Sequence, residues 1–253
     1  YVNIFFHKIG VTFQSFQVII SLLTLVITSI YLRKTSVFLG VSFILYFLVM
    51  FPLDYVLMRT SLSYAIVLNA FVFLSHARRL AFIILILIAT LIHQSALLFL
   101  LFLLANDGSK IKNTYKYICY SIFLSIVLLG LSNANFLSTK IVTHFAYYQT
   151  TWKTILSSII YHTISIFLIV ANFNCKGKNS KYDCFIRNIN VVSLLLFCLY
   201  FQADIFVRVF RLLVFVNLIY LVQDMIKNNK ATIFGLIYIP FYLIYLVYYY
   251  IYP

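Results

Sequence analysis

The sequence contains no glutamate, and its only acidic side chains are Asp54, Asp107, Asp183, Asp204 and Asp224. Charged residues of either sign fill 9% of the 253 positions, while 64% are hydrophobic. A soluble domain carries roughly 25% charged residues and about half apolar ones, so a soluble fold is excluded. The shortage of acid leaves 19 Lys and Arg largely uncompensated, with a net charge of +14. That excess does not describe a nucleic-acid-binding face. It is split into short clusters between apolar runs, the pattern of cytoplasmic loops beside anionic lipid. Cys119, Cys175, Cys184 and Cys198 lack metal-ligand spacing. No nucleophile elbow, phosphate-cradling glycine loop, zinc-ligand pair or Asp-rich motif is present, so no metal or other cofactor is expected. Two distant aspartates do not make a magnesium site.

What is present is apolar sequence in runs: roughly Phe13–Tyr31, Val37–Leu53, Ser61–Leu74, Leu80–Ile92, Ser95–Ala105, Tyr117–Leu131, Thr154–Ala171, Ile189–Phe201, Ile205–Val222 and Ala231–Tyr252. Spans of about 20 apolar residues cross a bilayer core as helices, because only helices and closed barrels satisfy their backbone in lipid. The runs therefore predict an all-α, polytopic transmembrane bundle of about nine hydrophobic passes. No internal repeat divides it, so residues 1–253 read as one integral membrane domain. The chain opens almost mid-pattern at Tyr1, and an N-terminal portion is expected to precede it. Trp152 and the Tyr147–Tyr148 pair read as interfacial aromatics.

The stretch Leu80–Ala105 is interrupted only by His93, Gln94 and Ser95. As one tilted helix it leaves eleven Lys and Arg on one side and eight on the other. As two half-helices turning at His93–Ser95, it puts thirteen inside and leaves Lys8, Arg59, Lys140, Lys153, Arg208 and Arg211 outside. The positive-inside rule favours the hairpin. Each arm, at about 1.5 Å per residue, is short for a full crossing, so the turn is expected to be buried in protein or to line a wet cavity.

This topology gathers the unusual polar residues on the outer side. Asp54 and Arg59 flank the third run, and His93 lies at the hairpin tip. Asp204, Arg208 and Arg211 share one helix face through spacings of four and three. A single arginine near a helix end ordinarily snorkels to headgroups, and Asp204 with Arg208 also reads as a structural i,i+4 pair. Arg211, about two turns into an apolar helix, demands an anionic partner. His93 alone reads equally as a packing histidine. Ser158, His162 and Ser165 form a polar stripe that reads as interhelical hydrogen bonding.

The segment F-P-L-D-Y-V-L-M-R-T-S-L-S-Y-A, followed by Arg78–Arg79 and L-A-F-I-I-L-I-L-I-A-T-L-I-H-Q-S-A-L-L, resembles the EpsG/Wzy-like family of bacterial polysaccharide polymerases. Arg59 matches the family's arginine near a helix start. His93, Ser95, Ala96 and Leu97 match its His-x-Ser-Ala-Leu segment, and Arg208-Val209-Phe210-Arg211 looks like its late arginine segment. Thr60 departs from the family's usual Gln. The resemblance implies polymerisation of undecaprenyl-diphosphate-linked repeat units at the outer face of the cytoplasmic membrane. By that implication His93 is the general base, and Arg59, Arg208 and Arg211 hold diphosphate and neutralise the leaving group. Asp204 orients an arginine or itself serves as the base, with Asp54 as the second reserve candidate for that role, and Asp54, Gln94, Ser95 and Tyr148 touch substrate. Membrane lipid, a flippase and a chain-length regulator are the implied partners. A lipid-linked glycan flippase, a membrane acyltransferase and a structural subunit are the competing readings; the last leaves Arg211 without a reason.

Overall fold

The computed structural model describes residues 10, 12–36, 38–50, 57–105, 111, 114–133, 152–171, 180–196, 205–227 and 232–251. All regular structure among them is helical: α1 Phe13–Thr35, α2 Leu39–Val49, α3 Met58–Ser75, α4 Arg79–Ile92, a 3₁₀ segment Gln94–Leu104, α5 Thr114–Asn133, α6 Trp152–Ala171, α7 Ser180–Ser193, a short 3₁₀ turn Leu194–Leu196, α8 Ile205–Lys227 and α9 Thr232–Ile251. The chain divides into two compact units, 1–100 and 101–253.

The expected all-helical bundle is present, but about nine passes are not established among the described residues. Among the described residues only α1, α3 and the Val209–Ile226 part of α8 are long and apolar enough to cross a membrane unaided. Apolar helices such as Leu39–Val49 and Arg79–Ile92 are shorter. At about 1.5 Å per residue, the 11 residues of α2 reach roughly 17 Å, well short of a ~30 Å hydrocarbon core.

In the first unit, Thr12 caps α1 by accepting a hydrogen bond from the Ser15 amide at 3.2 Å, and Arg33 and Lys34 occupy its last turn, where cations suit the helix dipole. α3 is the central element. Residues Thr60 to Ala65 and Val67 to Val72 are all buried, whereas Val18, Leu22 and Val26 on α1 and Leu80, Ile84, Leu87 and Leu91 on α4 are exposed. Apolar faces of that extent belong against lipid. Asn69 Nδ2 ties α3 to α1 by donating to Ile27 O at 2.8 Å, and it also reaches Ala65 O at 3.1 Å.

The Leu80–Ala105 stretch is not one helix. α4 ends at Ile92, His93 is extended (φ −148°, ψ 117°), and the 3₁₀ segment follows. Phe99 then packs edge-on against Tyr64 (5.6 Å) and Phe71 (5.9 Å), while Phe71 stacks on Phe82 (6.3 Å). Phe99 therefore lies beside the middle of α3, so the chain has turned back at His93. The second arm is 3₁₀ rather than α. Its 11 residues at about 2.0 Å rise span roughly 22 Å, matching roughly 21 Å for the 14 residues of α4.

In the second unit, α6, α8 and α9 pack through aromatic rings: Phe167 on Phe234 (3.6 Å), Tyr161 on Phe210 (6.4 Å) and Tyr161 on Tyr242 (6.3 Å). Tyr238 donates to Ile160 O at 2.9 Å. α7 begins at Ser180, nine residues before the apolar run expected there, and its polar residues are interior. Arg187 is 0% exposed and donates to Ile111 O (3.3 Å) and Asn188 Oδ1 (3.4 Å). Asn190 and Asn217 exchange side-chain hydrogen bonds of 3.0 and 2.8 Å between α7 and α8. Arg187, assigned to an inner loop on composition, is thus a core residue. A buried polar seam costs little when each group finds a partner.

Candidate functional site

The α3–α4 hairpin sets the first group of candidate residues. Ser63, 0% exposed, donates from Oγ to Ala89 O at 3.0 Å and fixes the register of the two antiparallel helices. Arg59 lies four residues before Ser63, and His93 lies four residues after Ala89. Each is therefore one helical turn, about 6 Å, beyond that hydrogen bond at the same end of the hairpin. Residues 34 separate in sequence are brought together because the chain reverses at His76–Arg78. Arg59 is exposed at the start of α3, whereas Thr60, Ser61 and Ser63 behind it are buried.

His93 closes α4, with its amide donating to Ala89 O at 2.9 Å. Its extended backbone turns the half-buried ring away from the helix axis, and the amide of Ala96 bonds back to His93 O at 3.0 Å to hold the turn. Gln94 is exposed. Ser95 is half-buried, and its Oγ has no hydrogen-bond partner among the described residues. This end of the hairpin thus presents a guanidinium, an imidazole and a hydroxyl, which together can hold an anion and accept a proton.

The second unit holds the other arginines. Arg211 is 3% exposed on α8. It interacts electrostatically with Tyr242, whose ring faces Tyr161 at 6.3 Å and Tyr238 at 6.1 Å. The hydroxyls of Tyr161 and Tyr242 are buried and find no hydrogen-bond partner among the described residues. A guanidinium flanked by buried phenol donors is suited to phosphate oxygens. Arg208 belongs to α8, three residues before Arg211, but its side chain lies outside the described residues, as do Asp54, Tyr148 and Asp204 altogether. Among the described residues no group of three or more His, Cys, Asp or Glu side chains could hold a metal ion.

Within the α6 stripe, Ser165 does not make the interhelical bond expected of it. Ser165 Oγ bonds Tyr161 O of its own helix at 3.1 Å, the usual back-bond of a serine buried in apolar surroundings. His162 packs on the Phe210 ring, with centroids 5.0 Å apart. Ser158's side chain lies outside the described residues. Tyr161 and Tyr242 went unrecognised because tyrosine in an apolar run reads as belt or core. The one available signal was spacing: Tyr238, Tyr242 and Tyr245, four and three apart, share a face of α9.

No curated protein and no solved structure matches the chain. The EpsG family model matches it over residues 1–253. The chain therefore belongs to the EpsG family of bacterial Wzy-like polysaccharide polymerases, and is a multi-pass enzyme of the cytoplasmic membrane.

Proposed function

We propose that the protein polymerises oligosaccharide repeat units carried on undecaprenyl diphosphate at the outer face of the cytoplasmic membrane. The observation that carries this reading is the pairing of Arg59 and His93, one turn beyond the Ser63–Ala89 hydrogen bond at one end of the α3–α4 hairpin. Each arm of the turn at His93 falls short of a bilayer crossing, so the turn reads as a re-entrant tip lining a wet cavity open to the outer side.

In the proposed reaction, His93 accepts the proton of the acceptor sugar hydroxyl as that oxygen attacks the anomeric carbon of the donor. The bond from that carbon to the diphosphate oxygen breaks, and undecaprenyl diphosphate departs with the electron pair. Attack opposite the leaving group inverts the anomeric centre. Arg59 holds diphosphate in the first unit, and Ser95 and Gln94 contact substrate beside His93. Arg208 and Arg211, on α8 of the second unit, are assigned to diphosphate there, with the Tyr161 and Tyr242 hydroxyls as further donors to phosphate oxygens. Asp204 orients an arginine, and Asp54 and Tyr148 complete the substrate contacts. Diphosphate is a good leaving group once its charge is neutralised, so the scheme needs no nucleotide-sugar site. A flippase delivering the substrate and a chain-length regulator are the proposed partners.

The test is substitution at the two named roles, read in cells by polymer length and in detergent by substrate binding. Arg211→Ala is expected to abolish extension at near-normal membrane abundance. His93→Gln is expected to lose extension while still binding the lipid-linked oligosaccharide. Wild-type polymer in Arg211→Ala, or loss of binding together with chemistry in His93→Gln, contradicts the assignment.

A further inference from the structure

The end of the α3–α4 hairpin opposite Arg59 and His93 has its own feature. A cavity of about 310 Å³ is lined there by Lys34, Val72, Phe73, His76 and Arg78. Its lining residues Val72, Phe73 and His76 lie about 20–25 Å past Arg59 along the α3 axis, so it plays no part in the chemistry proposed at His93.

The lining is built by a specific turn. After α3, the amide of Ala77 donates to Leu74 O at 3.0 Å and that of Arg78 to Phe73 O at 2.9 Å. This is the paired bonding of a Schellman ending, which requires a left-handed residue at its apex. That residue is Ala77, at φ 63°, where glycine is the usual occupant. A non-glycine held in this region is retained only where its surroundings over-determine it, and such positions cluster at ligand clamps. Here the turn fixes where His76 and Arg78 emerge.

Three nitrogen-bearing side chains reach the cavity. Lys34 comes from α1, with its Nζ 5.5 Å from the centre of the Phe73 ring, which anchors the ammonium at the rim. His76 Nδ1 lies 2.8 Å from Val72 O. A carbonyl only accepts, so Nδ1 carries the proton, and Nε2, across the ring, is left to accept from a ligand hydroxyl such as that of a monoprotonated phosphate or a glycerol headgroup. Arg78 adds a guanidinium fork. No lining residue is acidic, in a chain without a single glutamate.

We propose that this cavity binds a phosphate group, with Arg78 and Lys34 as charged donors and His76 Nε2 beside them. The volume sits at the small end of ligand pockets, which span roughly 300–1,000 Å³, and suits a phosphate with a few attached atoms. The headgroup of an anionic phospholipid and free inorganic phosphate are the two sources of that chemistry.

The test uses the purified full chain in detergent at fixed ionic strength. It is titrated separately with short-chain phosphatidylglycerol and with inorganic phosphate, and binding is followed calorimetrically. One saturable site per chain is expected. Binding is expected to weaken about tenfold in Arg78→Gln and by more in Lys34→Gln/Arg78→Gln, since each removes a charge-assisted contact. Arg33→Gln, which removes the same charge beside Lys34 but does not line the cavity, should bind as the parent does. Saturable binding of the lipid alone assigns the headgroup as ligand, and displacement of the lipid by phosphate shows that both enter one site. Absence of saturable binding in both titrations overturns the proposal. Equal weakening in Arg33→Gln also overturns it, because diffuse charge would then explain the attraction. All three variants involve exposed side chains, and unchanged resistance to SDS unfolding would separate lost binding from lost fold.

Discussion

Replacing Asn217 with leucine probes the polar seam that sets α8 against α7. Asn190 and Asn217 exchange hydrogen bonds of 3.0 and 2.8 Å, and neither is more than 1% exposed. Side-chain hydrogen bonds in membrane proteins average about 0.6 kcal/mol and reach about 1.7, so the reciprocal pair contributes roughly 1–3 kcal/mol. Asn217→Leu removes both bonds and strands Asn190 Oδ1 in an apolar interior, at about 1–3 kcal/mol for an unsatisfied buried acceptor. Asn190 Nδ2 is spared, because it also donates to Ile186 O at 2.9 Å. These contributions overlap, and the expected net loss is about 2–4 kcal/mol. The double variant Asn190→Leu/Asn217→Leu strands neither amide. It is expected to be less destabilised than Asn217→Leu alone, with a coupling energy of about 1–3 kcal/mol. Reversible unfolding of the full chain in mixed micelles, titrated with SDS and followed by helical circular dichroism, measures all four corners of the cycle. Costs that simply add in the double variant would refute the view that the two amides satisfy each other. Asn217 lies six residues past Arg211, about 9 Å along α8, so the same seam anchors the helix that carries the buried arginine.

Further outcomes follow from single contacts. Tyr242→Phe removes a buried hydroxyl without a hydrogen-bond partner among the described residues, so stability should hold or rise by about 1 kcal/mol. If that hydroxyl contacts phosphate, glycan extension should nevertheless fall about tenfold, and unchanged extension removes Tyr242 from the site. Gly235→Ala sets a methyl group against the Met225 sulfur where α8 and α9 approach. The flexible thioether can swing aside, so the cost in the SDS titration should stay below about 1 kcal/mol, and a loss of several kcal/mol would contradict that freedom. A cysteine at exposed Gln94 should react with a membrane-impermeant thiol reagent added outside intact cells, and complete protection there contradicts an outward-facing tip.

Much of the helical framework was legible because lipid leaves the backbone few choices. The runs located α1, α3, α4, α6 and α9 to within a few residues, and the interruption His93-Gln94-Ser95 marked the break in the fourth run. Charge counting then chose the hairpin, and the return of Phe99 to Tyr64 and Phe71 agrees with it. The 3₁₀ form of the second arm was not legible, since Gln94–Leu104 has ordinary helical composition.

The polar part of α7 was misread for a related reason. Arg187 and Asn188 lower local hydropathy as loop residues do, and only a tertiary partner such as Ile111 reveals that they are interior. At the candidate site, Arg59 and His93 were legible as types and as a motif. Their common side followed from the hairpin topology, whereas their register, one turn beyond the Ser63–Ala89 hydrogen bond, did not. Arg211 stood out as a cation in apolar sequence, whereas its neighbours Tyr161 and Tyr242 did not, because a buried tyrosine and a packing tyrosine look alike in one dimension.

The most direct test of the central claim is an in vitro reaction of the purified protein with a defined undecaprenyl-diphosphate oligosaccharide, resolved as a product ladder. The account predicts a ladder that disappears in Arg59→Ala, His93→Gln and Arg211→Ala while each variant remains folded. Substrate bound without any ladder in the parent protein, or a ladder that survives these substitutions, contradicts it.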